Sequence, residues 1–139
     1  MNLSENCKVV LAKAAQEAGV SAVTTDVIDM AGYREVVFVG SITTKNVGNY
    51  ANLQEDDAAA GSSLADLVGT KIASNDQYFK IGLVRPKKRY VALKITRAGA
   101  STATGDVWAF LFNARKAPIT SATVTLKEET HTSPAAGTA

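Results

Sequence analysis

At 139 residues the chain fits one domain, and 15 Lys and Arg against 13 Asp and Glu leave a formal net charge of only +2. That balance excludes a whole-molecule field strong enough to draw in nucleic acid or a membrane surface. The single cysteine, Cys7, excludes an intrachain disulfide and a cysteine metal cluster. No run approaches the roughly 20 apolar residues of a membrane span, and the polar start lacks the pattern of a signal peptide.

Those features predict a soluble protein compatible with a reducing cytoplasm. The 46% hydrophobic content overstates the core, because much of it is Ala. Cys7 to Ala18 reads two ways. Its Ala, Lys, Gln and Glu favour helix, with Ser4 as a cap, whereas Val9, Val10 and Leu11 suit a first strand. The β character of everything downstream tips the choice to strand, followed by an Ala-rich loop. Val27 to Met30 is a short strand candidate closed by a turn at Gly32. Glu35 to Ile42 carries the β-branched run Val36-Val37-Phe38-Val39. Asn49 to Leu53 is another candidate, leading into the polar stretch Gln54-Glu55-Asp56-Asp57, and Leu64 to Leu67 fits one capped helical turn.

Three segments further on alternate with period two, the signature of a half-buried strand. In Tyr78 to Val84, Phe79, Ile81 and Leu83 share a face; in Tyr90 to Arg97, Val91, Leu93 and Ile95 do. Val107 to Ala114 sets Trp108, Phe110 and Phe112 against Val107, Ala109 and Leu111, so it is apolar on both sides. Such a strand belongs at the centre of a sheet or at a subunit contact. The connections, 85–89 with Pro86 and the small-residue stretch 98–105, are short enough to predict a three-stranded antiparallel meander over residues 78–115. After Pro118 the pattern fades into a tail ending Ser133-Pro134-Ala135-Ala136-Gly137-Thr138-Ala139, expected to be disordered or an arm laid on a neighbour. The predicted organisation is therefore a β domain over residues 1–118 and a C-terminal arm over 119–139. The fold class is all-β, an antiparallel sandwich or jelly-roll-like barrel without the crossover helices of an α/β fold.

The inventory for catalysis is thin. His131, the only histidine, lies in the polar tail, and a base must be held beside its nucleophile to form a working pair with Cys7. No enzyme, cofactor or metal site is expected. Glu55-Asp56-Asp57 could hold a hard cation through its oxygens, but a solvated loop is the plainer reading. Asp26 and Asp29 resemble paired acid–base carboxylates only as any strand-end aspartates do. Arg85, Lys87, Lys88 and Arg89 form a basic patch with three readings. It is a solvated turn guarding strand edges, a contact for an acidic partner, or, with Tyr78, Phe79 and Tyr90 nearby for stacking, a nucleic-acid contact. Trp108 is either core or part of a subunit interface.

The order of the motifs is what carries a resemblance. Asp29-Met30-Ala31-Gly32-Tyr33 precedes Val36-Val37-Phe38-Val39. Ala65-Asp66-Leu67-Val68-Gly69-Thr70 follows, then Val84-Arg85-Pro86 with Lys88-Arg89-Tyr90-Val91, then Gly105-Asp106-Val107-Trp108-Ala109. Asn113-Ala114-Arg115-Lys116-Ala117-Pro118 and the Ser133 to Ala139 terminus complete it. From about Asp29 onward the chain resembles a family of small tailed-phage virion proteins encoded near the major capsid protein and regarded as head decoration, or cement, proteins.

The resemblance implies a homo-oligomer, dimer or trimer, that binds the major capsid protein on the outer surface of the head after synthesis in the host cytoplasm, with no membrane and no nucleic-acid partner. Arg85, Lys87, Lys88, Arg89, Trp108 and Pro134 are the candidate partner-binding residues. A tail or head–tail connector protein is the nearest alternative, and a nucleic-acid-binding β-barrel the alternative of another class.

Overall fold

A computed structural model describes residues 3–74 and 77–115. After a single helical turn, α1 (Leu3–Asn6), the described chain is β-structure. Its strands are β1 (Lys8–Lys13), β2 (Gln16–Gly19), β3 (Val23–Thr24), β4 (Ile28–Asp29), β5 (Glu35–Ser41) and β6 (Asn46–Asp56). They continue with β7 (Ala65–Asp66), β8 (Ile72–Ser74), β9 (Tyr78–Val84), β10 (Tyr90–Arg97), β11 (Thr102–Thr104) and β12 (Val107–Phe112).

Two antiparallel sheets face each other. Sheet I has the order β1-β12-β5-β9. Sheet II has the order β3-β10-β6-β7, with β4 also on β10 and β8 also on β6. Strands β2 and β11 form a separate two-stranded ribbon. The sheets do not close into a barrel, so the all-β sandwich is the architecture, not the barrel alternative.

One core lies between them. Sheet I contributes Val36, Phe38, Phe79, Ile81, Val107, Ala109 and Leu111, and sheet II contributes Val23, Ile28, Ala51, Leu53, Val91, Leu93 and Ile95. The period-two pattern of the sequence selects these faces, since alternate residues of a strand point to opposite sides. Burying a large aliphatic or aromatic side chain is worth about 1.5–3 kcal/mol, so this interdigitated layer dominates stability.

The expected meander does not exist. Strand β9 pairs with β5, β12 pairs with both β1 and β5, and β10 lies in the opposite sheet against β6. Residues 85–89 are a corner that carries the chain from sheet I to sheet II. A corner and a hairpin can have the same length, and the partner of β9 and β12 is a strand about 40 residues or more upstream, as sandwich topologies allow.

Other expectations also shift. Cys7 to Ala18 resolves to strand in its first part, β1, but the following Ala-rich stretch contains β2 as well. Leu64 to Leu67 is not a helical turn: Ala65 and Asp66 pair with Glu55 and Gln54 as β7. The small-residue stretch 98–105 contains β11. Strand β6 runs through the polar stretch to Asp56, so Glu55 and Asp56 are buried rather than solvated and only Asp57 is exposed. The predicted arm 119–139 lies outside the described residues.

The two ends of the sandwich are closed differently. At one end the inner face finishes in the pair Arg97 and Asn49. Arg97 is buried, and its guanidinium donates to the carbonyls of Ser21, Glu17 and Thr102 at 2.6, 2.8 and 2.9 Å. Asn49 Nδ2 donates to Ala100 O at 3.0 Å, and Asn49 Oδ1 accepts from the Gly99 and Ala100 amides. Gly48 and Gly99 pack backbone to backbone there. A Cβ on Gly48 would come within 2.6 Å of Gly99 Cα, so a side chain at that crossing would force the loops apart. The other end is basic and open.

Candidate functional site

Two features of the surface stand out, and they adjoin. The first is the outer face of sheet I. Register sets Leu11, Trp108, Val39 and Lys80 in one row and Val9, Phe110, Val37 and Gly82 in the next. Phe112, Glu35 and Val84 form the row nearest the basic end, and Lys80 closes the apolar face on the β9 edge. Strands β5 and β12 are apolar on both sides, so after the core is filled a second apolar surface remains. Trp108, Phe110, Phe112 and Val37 are half-buried, while Val39 and Val84 are exposed, Val84 by 62%. Trp108 therefore does not lie in the inter-sheet core; its alternation with buried Val107 and Ala109 turns it outward. Unlike the exposed Val20, Val47 and Val68, which lie elsewhere on the chain, these residues adjoin through strand register, and contiguous apolar patches are the ones that mark contact surfaces in general.

The second feature is the open end. Three segments meet there: the 30–34 turn, the 85–89 corner and residues 113–115 after β12. Backbone bonds knit them, with Arg85 N donating to Arg34 O at 2.7 Å, Arg34 N to Phe112 O at 3.3 Å, and Arg115 N to Gly32 O at 2.8 Å. Gly32 supplies the turn with a φ of 85°. Two shallow grooves of about 670 and 700 Å³ run between these segments and share Arg34, Arg85 and Arg115.

Backbone strain gathers at this end. Arg85 and Asn113 are the only non-glycine residues with positive φ among the described residues, at 52° and 54°. Left-handed backbone costs a residue with a side chain roughly 1–2 kcal/mol, and such conformations cluster at functional sites. Asn113 is fixed by its side-chain amide, which donates to Glu35 Oε1 at 2.6 Å.

The four cations of the predicted basic patch divide into two pairs. Arg89 makes a two-pronged bond to Asp29, 2.8 Å at each oxygen, and Lys88 Nζ is 3.2 Å from Asp57. The Arg89 guanidinium holds the Asp29 carboxyl below its ordinary range and is itself pushed up. Asp29 is therefore a salt-bridge partner, not half of an acid–base pair, and Asp26 is simply exposed. Arg85 and Lys87 have no carboxylate at ion-pair distance among the described residues. Arg34 and Arg115 join them, and neither was legible as a site residue because each is a lone charge in its own segment. Chain folding alone brings them together.

Of the three stacking candidates only Tyr90 stays at this end. Tyr78 stands at the opposite end of β9 from Val84 and Arg85, Phe79 is buried in the core, and the Tyr90 ring lies 5.2 Å from the Arg89 guanidinium. Pro134 lies outside the described residues.

Cys7 is buried, and burial pushes its thiol up, which keeps it in the unreactive form; His131 lies outside the described residues. Among the described residues, no three His, Cys, Asp or Glu side chains converge to hold a metal, and no helix is long and apolar enough to cross a membrane. No protein-family model matches this chain, and no curated protein matches it.

Proposed function

We propose that the chain is a structural protein of a tailed-phage virion, a decoration protein that binds the outer surface of the head and stabilises the shell by protein–protein packing. The observation that carries this reading is the apolar outer face of sheet I. It is a strand-built surface on which Trp108, Phe110, Val37 and Val39 adjoin. Such a surface gains free energy when another polypeptide covers it, at about 25 cal/mol per Å² of apolar area removed from water. The resemblance in motif order from Asp29 onward supplies the kind of polypeptide, the major capsid protein.

The physics of the role is linkage. A protein that binds the assembled shell and not its dispersed subunits stabilises the shell by mass action. A sandwich with one packed core also transmits load between the sites it bridges without deforming. Self-association as a dimer or trimer would multiply the contacts made by each unit.

The test is to add the purified protein to expanded heads that lack it. Stoichiometric binding and a raised shell melting temperature are expected. Absence of binding at micromolar concentrations would remove the head role, and large rings or tubes formed by the protein alone would move it to the tail or connector.

A further inference from the structure

We infer that the groove between Arg34, Arg85 and Arg115 seats a carboxylate-bearing segment of the partner, an acidic loop or strand of the shell protein. The inference rests on the docking role proposed above and adds the chemistry of its rim.

Three observations support it. First, the charge is unspent. The same corner matches Arg89 with Asp29 and Lys88 with Asp57, yet Arg34, Arg85, Lys87 and Arg115 face no described carboxylate within ion-pair distance. Like charges gathered at one end of a nearly neutral chain repel one another, and an arriving anion relieves that repulsion. Second, the groove is held in shape before anything binds. The backbone bonds from Arg85 to Arg34 and from Arg115 to Gly32 fix the spacing of the segments, and the left-handed Arg85 and Asn113 give them their direction. Third, the groove is continuous with the apolar face. Glu35 and Val84 line it and also form the last outer row of sheet I with Phe112. An apolar centre with a charged rim is the ordinary anatomy of a protein–protein contact.

The anion is a carboxylate rather than a nucleic-acid phosphate. Arginine forks match carboxylates and phosphates alike two-pronged, and this chain already uses the carboxylate form between Arg89 and Asp29 at 2.8 Å, so the choice turns on what lies beside the charges. Single-stranded nucleic acid also needs aromatic faces beside the charges. Here Tyr78 is at the far end of β9 and Phe79 is in the core, and the two tyrosines at this end are already engaged, Tyr33 packed against the core and Tyr90 against the Arg89 guanidinium.

The test titrates the intact protein at low salt with a hexaglutamate peptide and, separately, with an oligothymidylate of equal charge, following the arginine side-chain resonances. Hexaglutamate is expected to shift Arg34, Arg85 and Arg115 and to bind more tightly than the oligonucleotide. The double variant Arg34→Gln/Arg115→Gln should bind about tenfold more weakly with a flatter dependence on salt, and Arg34→Lys/Arg115→Lys should recover the salt dependence but only part of the affinity, since lysine restores the charge without the fork. Shifts located elsewhere, no shifts, or tighter binding of the oligonucleotide would overturn the inference.

A second arm measures shell binding. Glutamine variants should lose about tenfold in affinity for expanded heads, mostly below about 0.15 M salt. Unchanged shell affinity overturns the groove as a contact while the docking role stands. A protein that takes hexaglutamate at the groove but ignores shells keeps the carboxylate site and loses the docking role.

Discussion

The outward faces of the two antiparallel sheets settle their surfaces in opposite ways. On sheet II the outward residues bond to one another. Asn52 and Gln54 donate to the same Asp66 oxygen at 2.9 and 2.7 Å, Lys94 lies 3.9 Å from its other oxygen, and Lys71 sits 4.0 Å above the Tyr50 ring. On sheet I the corresponding rows are Leu11–Trp108–Val39 and Val9–Phe110–Val37, with few polar groups to satisfy. Covering the first face would strip water from charges that are already matched, which costs free energy. Covering the second would mainly remove apolar surface from water, with the exposed Lys80 at the β9 edge beside Val39. On the docking role proposed above, the difference favours sheet I for the contact and sheet II for solvent.

The largest effect that could break this contrast comes from a charge placed in the middle of the sheet I face. Val39→Lys, beside Trp108, should lower affinity for expanded heads about 30-fold, or ~2 kcal/mol. It should cost no more than about 1 kcal/mol of folding stability, because Val39 already meets solvent and the cost comes from the like charge of Lys80 opposite it. Shell binding at the wild-type level would show that contact lies elsewhere.

The reciprocal change on sheet II is Asp66→Ala. It leaves the buried amides of Asn52 and Gln54 without their acceptor and should cost about 1–2 kcal/mol of folding stability, read by denaturant unfolding. Shell affinity should not move. A loss of shell binding without a loss of stability would invert the assignment of the faces.

Acid sharpens the same point. Bonds from Asn52 and Gln54 hold Asp66 below the ordinary carboxylate range, the Ser63 and Ala58 amides do so for Asp56, and Arg89 does so for Asp29. Folding therefore favours the ionised forms. Their contribution is complete above the unfolded carboxylate value near about pH 4, and it is lost as pH falls through the lower folded values. Stability measured by unfolding should drop as pH is lowered below about 4, and Asp66→Asn should flatten that drop.

The smallest effect is at the strained corner. Arg85→Gly removes a side chain from left-handed backbone and should raise stability by up to about 1 kcal/mol, while weakening hexaglutamate binding. A stability loss would mean that the Arg85 side chain packs in a way that outweighs its backbone strain.

Much of this molecule could be read from its residues because strand formation is governed by local alternation. Phe79 and Ile81, and Val91, Leu93 and Ile95, each marked a core face by period alone. Val107 to Ala114 is apolar on both faces, and only the folded chain chose Val107, Ala109 and Leu111 for the core and turned Trp108 outward. The doubly apolar Val107 to Phe112 run also marked a strand with neighbours on both sides, and β12 is central in its sheet. The parallel signal in Val36-Val37-Phe38-Val39, which extends the outer apolar face, was just as visible in the sequence. The acidic stretch misled, because composition suggested a solvated loop where β6 continues to Asp56. What pairs with what was not legible. Antiparallel ladders are made of backbone groups common to every residue, so sequence specifies a strand's faces far more strongly than its partner. Only the folded chain placed β5 between β9 and β12, turned 85–89 into a corner, and brought Arg34, Arg85 and Arg115 to one groove, since contacts between distant segments leave no local pattern.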